Sequence, residues 1–92
     1  MSTKTVNTKT IGSIVRAAVG PYMYRTRGRK DFIFGMEVQG HIGNVTARFV
    51  NYSMLDDSFI EEKDELLNST ENALQASGYT TIREDKQIRV IA

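Results

Sequence analysis

Four of the chain's twelve basic side chains fall within nine positions, residues 22–30, YMYRTRGRK. They are Arg25, Arg27, Arg29 and Lys30, beside Tyr22 and Tyr24. In an extended chain, positions two apart point the same way, so Arg25, Arg27 and Arg29 form a comb of guanidinium groups. Such a comb suits a phosphate backbone or an acidic protein face, because the planar guanidinium makes paired hydrogen bonds to phosphate or carboxylate. Tyr24 adds a ring that can stack on a base or anchor an interface. The same comb also suits a solvated hairpin edge kept soluble by charge.

Other chemistry is thinly represented. His41 is the single histidine and stands between two glycines in a turn, with no orienting partner near it in sequence. The acid pairs Asp56-Asp57, Glu61-Glu62 and Asp64-Glu65 crowd the start of an expected helix, where negative charge favours the positive end of the helix dipole. There is no cysteine, no calcium-loop spacing, no phosphate loop and too few ligands for zinc. The expectation is a non-enzyme with no metal, no cofactor and no small-molecule substrate. Gly40-His41-Ile42-Gly43 matches the GXXG loop of one RNA-binding module, but that loop joins helices, whereas this one stands between two apparent strands.

The elements that must carry these residues can be read in order. At 92 residues the chain has room for one domain, residues 1–92, with residues 1–7 frayed. Ile11, Ile14, Val15, Ala18 and Val19 make a helical stripe, begun by Asn7 or Thr8 and stopped at Gly20-Pro21. Residues 22–26 read as a strand, Gly28 as a turn and residues 31–39 as a returning strand. That strand places Phe32, Phe34, Met36 and Val38 on one face. Residues 45–51 alternate again, with Val45, Ala47 and Phe49 inward and Arg48 outward beside the basic run.

A second helix over 58–77 follows, with Ser58 and Glu61 as a capping box and Phe59, Ile60, Leu66, Leu67, Ala73 and Leu74 as its apolar stripe. Gly78 ends it, and residues 79–83 and 87–91 close the chain as a hairpin with Ile82, Ile88 and Val90 inward. The expected fold is α+β: an antiparallel sheet of four to five strands with both helices on one face, in the order α-β-β-β-α-β-β.

The net charge of +1 conceals two poles. Residues 1–52 carry eight basic and two acidic side chains, a balance of +6; residues 53–92 carry four and nine, a balance of −5. No apolar run reaches membrane-spanning length, and the polar N-terminus lacks a signal core, so the three Asn-x-Ser/Thr triplets read as chance matches. The helix, three-strand, helix order is shared with double-stranded RNA-binding domains. That family opens its last helix with lysines; here Asp56, Asp57, Glu61 and Glu62 stand there and would repel phosphate.

Over its whole length, from MSTKTVNTKTIGSIVRAAVG through YMYRTRGRKDFIFG to REDKQIRVIA, the sequence resembles phage anti-CRISPR proteins directed at the type I-F surveillance complex. Those proteins share no diagnostic motif, so no site residue is carried over. The resemblance implies a cytoplasmic location in the infected bacterial host. It implies Cas protein subunits as partners, with guide RNA as a further contact, and a steric block of target DNA binding or hybridisation. The basic residues Arg25, Arg27, Arg29, Lys30 and Arg48 would then meet RNA phosphates or acidic Cas surface. Asp56, Asp57, Glu61 and Glu62 would meet basic Cas surface. The alternative is a small intracellular nucleic-acid-binding accessory protein that uses the 25–30 hairpin.

Overall fold

The computed structural model describes residues 6–25 and 33–91. Helix α1 (Thr8–Val19) opens on Asn7, whose side-chain Oδ1 accepts the Thr10 N–H at 2.8 Å. Ile11 and Val15 are fully buried on its inner stripe, and Val6 is buried just before the cap. Within the 1–7 stretch, Val6 and Asn7 are therefore docked. The helix ends at Gly20 (φ +91°), whose N–H donates to the Arg16 carbonyl at 2.9 Å.

The strand expected over 22–26 does not form across its described residues, 22–25. Pro21–Met23 is a single 3₁₀ turn instead. Proline's fixed φ suits the first position of a helical turn, so the chain coils once before it extends. Tyr24 then makes an isolated parallel bridge to Met36, and the Arg25 N–H donates to the Met36 carbonyl at 2.9 Å. The Gly28 turn, Asp31 and Phe32 lie outside the described residues. Among the described residues, the expected three-stranded meander is a hairpin with one short parallel flank, and their helices and strands run α-β-β-α-β-β.

Strands β1 (Phe34–His41), β2 (Asn44–Asn51), β3 (Thr80–Glu84) and β4 (Gln87–Ile91) form one antiparallel sheet, ordered β1-β2-β4-β3. Register sets its inner face. Met36 stands opposite Phe49, Val38 opposite Ala47, Ala47 opposite Ile88 and Val45 opposite Val90. Met36, Val45, Ala47, Ile88 and Val90 are essentially inaccessible, and the Phe34 and Phe49 rings meet at 6.2 Å between centroids. Gly40 (φ +134°) and Gly43 (φ +84°) flank the β1–β2 turn, and the Gly43 N–H donates to the Val6 carbonyl at 2.7 Å. Turn geometry and docking account for both glycines.

Helix α2 (Glu62–Ala76) buries Leu66, Leu67, Thr70 and Leu74. It begins four residues later than expected. Ser58 is not its cap: the Asp56 carboxylate accepts both the Ser58 N–H and hydroxyl, which stabilises a separate 3₁₀ turn, Asp57–Phe59. As a result Ile60 is buried and Phe59 is 72% exposed, not part of the stripe. At the other end, Gly78 (φ +91°) and the Tyr79 N–H to Leu74 carbonyl bond of 3.0 Å close the helix as expected.

Ile82 is also outward. Thr81 stands opposite Val90 and Arg83 opposite Ile88, so these two polar residues occupy the inner side of β3. Helix α2 satisfies them: Arg83 donates to Asn68 Oδ1 at 2.8 Å, and Gln75 donates to Thr81 Oγ1 at 3.0 Å. Among the described residues, the fully buried Thr70 hydroxyl has no hydrogen-bond partner.

The close approach that seats the 21–25 segment is at Gly35, where a Cβ would lie 2.1 Å from the Met23 carbonyl oxygen. Backbone, not a flexible side-chain tip, occupies the space. Gly35→Ala should therefore destabilise the protein by at least about 2 kcal/mol, read as a lower urea midpoint with unchanged slope.

Candidate functional site

The outer sheet face begins at β1, where Glu37 stands directly opposite Arg48. Alternation turns both away from the core, and the parallel bridge at Tyr24 brings Arg25 to the same place. Arg25 Nη1 donates to Glu37 Oε2, while Arg48 Nε lies 3.6 Å from Glu37 Oε1. One carboxylate thus stands between two guanidinium groups. The Glu37 side chain is 13% exposed, and those of Arg25 and Arg48 are 43% and 45% exposed. The cations keep a solvent side, and the cluster carries a net charge of one positive. The Arg25 guanidinium carbon also sits 5.1 Å from the Tyr52 ring centroid, within cation–π range.

Of the residues named from sequence, Arg25 and Arg48 meet through Glu37. Arg27, Arg29 and Lys30 lie outside the described residues. Tyr24 is half-buried against the core, with its hydroxyl where a Cβ on Gly12 would fall. Burial raises the Tyr24 pKa, Arg16 lowers it and Glu37 raises it. The more exposed tyrosines are Tyr22 and Tyr52.

The acidic residues divide by task. Asp57 is held by Lys86 Nζ at 2.6 Å and by Asn51 Nδ2 at 2.9 Å. Asp56 caps the 3₁₀ turn, and Glu61 and Glu62 are exposed at the start of α2. Between the two groups lies a pocket of about 260 Å³, lined by Arg48, Val50, Tyr52, Asp57, Lys86 and Gln87.

Sequence reasoning missed Glu37, Asn51, Tyr52 and Lys86. Glu37 shows its role only once strand register is known. Lys86 reaches Asp57 across 29 positions of chain. His41 is exposed at the end of β1. No group of three or more His, Cys, Asp or Glu among the described residues could hold a metal ion. No helix among them is long and apolar enough to cross a membrane.

Comparison with known proteins gave no relationship: no family model matches the chain, no curated protein matches it, and no solved structure matches it.

Hydrogen bonds from Lys86 first, and from Asn51 next, hold the Asp57 carboxyl below the usual aspartate range. A folded-state pKa below the unfolded one gives stability that is present above the unfolded value and lost as pH falls through the folded value. Asp56 is lowered in the same direction by Ser58. Asp57→Asn should therefore flatten, without abolishing, the fall in urea midpoint below about pH 4, the region where unfolded aspartate titrates.

Proposed function

We propose that this chain is a non-enzymatic phage inhibitor that binds the type I-F CRISPR Cas–guide RNA surveillance complex in the cytoplasm of the infected host. It blocks target DNA binding or hybridisation by steric and electrostatic contacts. The observation that carries the reading is the pair of charge poles on one small domain. The Arg25–Glu37–Arg48 cluster is the basic pole, and Asp56, Glu61 and Glu62 mark the approach to α2 as the acidic one. A guide-loaded Cas assembly offers both RNA phosphate and protein surface, and a two-poled ligand can satisfy both at once. The resemblance of the whole sequence to anti-CRISPR proteins of this class points the same way. Arg27, Arg29 and Lys30 extend the basic pole in sequence.

Arg25 is partly neutralised by Glu37, so the basic pole is weaker than a count of its arginines suggests. That favours contact with a composite surface over independent grip on bare nucleic acid.

The test compares binding of the purified protein to the guide-loaded type I-F complex and to bare RNA and DNA at about 0.15 M salt. The reading requires binding to the complex and loss of target DNA capture. Arg25→Gln/Arg48→Gln should fold normally and weaken complex binding about ten-fold. Tight binding to bare nucleic acid with none to the complex overturns the reading in favour of a nucleic-acid-binding accessory protein.

A further inference from the structure

The connection from β2 to α2 inverts the usual arrangement of a surface loop. Asn51, Ser53 and Asp57 are half-buried and hold the backbone, while Tyr52, Met54, Leu55 and Phe59 face water. Ser53 donates to Asn51 Oδ1 from its N–H at 2.8 Å and from its hydroxyl at 2.6 Å. Asn51 Nδ2 donates to the Leu55 carbonyl at 2.7 Å and to Asp57 Oδ1 at 2.9 Å. The Leu55 N–H donates to Ser53 Oγ at 3.2 Å, and Lys86 fastens Asp57 from the β3–β4 turn. On this frame Tyr52, Met54, Leu55 and Phe59 are all exposed, with Met54 fully so. Ile33, also exposed, joins them through the Tyr52 N–H, which donates to its carbonyl at 2.7 Å.

Single exposed apolar residues are ordinary, but four on one braced segment with Ile33 joined beside them mark a surface made to be covered. Because the frame is already ordered, binding there loses little conformational freedom. We propose that the 52–59 connection is a protein-docking surface, and that its occupant is a protein face with an apolar depression rimmed by lysine and arginine.

Charge selects that occupant. Asp56, Glu61 and Glu62 are exposed in the same stretch as Met54, Leu55 and Phe59, and residues 49–62 contain no lysine or arginine; Arg25 stands over the Tyr52 ring at 5.1 Å. An acidic rim repels nucleic-acid phosphates, which argues against base stacking on Phe59. It also argues against a second copy of this chain, since a two-fold contact would set the same acids against themselves. A basic protein face gains from the rim and from the apolar centre together. The surface shares Asp56, Glu61 and Glu62 with the acidic pole of the preceding section, but the inference does not depend on which partner that section names.

The test titrates the isotopically labelled full chain with an amphipathic helical peptide built of leucine and lysine, and with its leucine–glutamate counterpart. The leucine–lysine peptide should shift amides of residues 33–34 and 52–62. Met54→Ser/Phe59→Ser should weaken its binding at least about ten-fold, as loss of two anchor residues does. Both positions are solvent-facing, so an unchanged urea midpoint shows that the variant is folded. Four results overturn the proposal: shifts confined to other residues, equal binding of the leucine–glutamate peptide, affinity unchanged in the double variant, or no binding. A dimer dispersed by the double variant assigns the surface to a second copy, and a short RNA that shifts the same amides assigns it to nucleic acid; either also overturns it. In parallel, failure of the wild-type chain to bind the guide-loaded complex overturns the preceding reading and leaves the peptide result to judge this surface.

Discussion

Strand β2 must be covered on one side and left open on the other, and most of the molecule follows from that requirement. Val45, Ala47 and Phe49 alternate inward, and pairing on both flanks adds Met36, Ile88 and Val90 to the same face. Fully burying each of the larger aliphatic side chains is worth about 1.5–3 kcal/mol, so this face cannot stay in water. Ile11 and Val15 of α1 and Leu66, Leu67 and Leu74 of α2 join the same buried cluster. With that side of the strand buried, the other is free for polar work.

The outer face uses that freedom unevenly. At β1 and β2 the central group is Glu37, an acid between two arginines. Without it, Arg25 and Arg48 would repel each other across adjacent segments; with it, both are aimed. The same carboxylate limits how much positive potential the cluster projects. Its reach therefore depends on what stands beside it, and Tyr52 supplies a flat, exposed neighbour.

The β2–α2 connection shows that an acidic cluster near a helix start need not serve the helix alone. Asp56 and Asp57 sit before α2, yet their side chains answer to Ser58, Asn51 and Lys86. The lowered pKa values of both aspartates report those hydrogen bonds, with desolvation acting in the opposite direction. Local bonding also explains why α2 begins late: the chain first completes the Asp57–Phe59 turn, and only then propagates a helix.

What the sequence determined by itself was periodicity and punctuation. The 3.6-residue stripe from Ile11 to Val19, the alternation from Val45 to Phe49, the stop at Gly20-Pro21 and the cap at Gly78 each depend on neighbours a few positions away, and each was legible. The α+β class follows from them. Tertiary structure decided what those signals share out. Pro21 allowed either a strand or a turn after it, and the turn is what forms, with Met23 packed against the core. Ile82 looked inward by composition, but register with Ile88 and Val90 gave the inner side to Thr81 and Arg83, because α2 offers them hydrogen bonds. Arg25 and Arg48 were visible as candidates in the sequence. Glu37 as their common partner, and Lys86 as the clamp on Asp57, were not, because pairing across 12 and 29 positions is set by how strands and turns meet in space, and no local pattern encodes it.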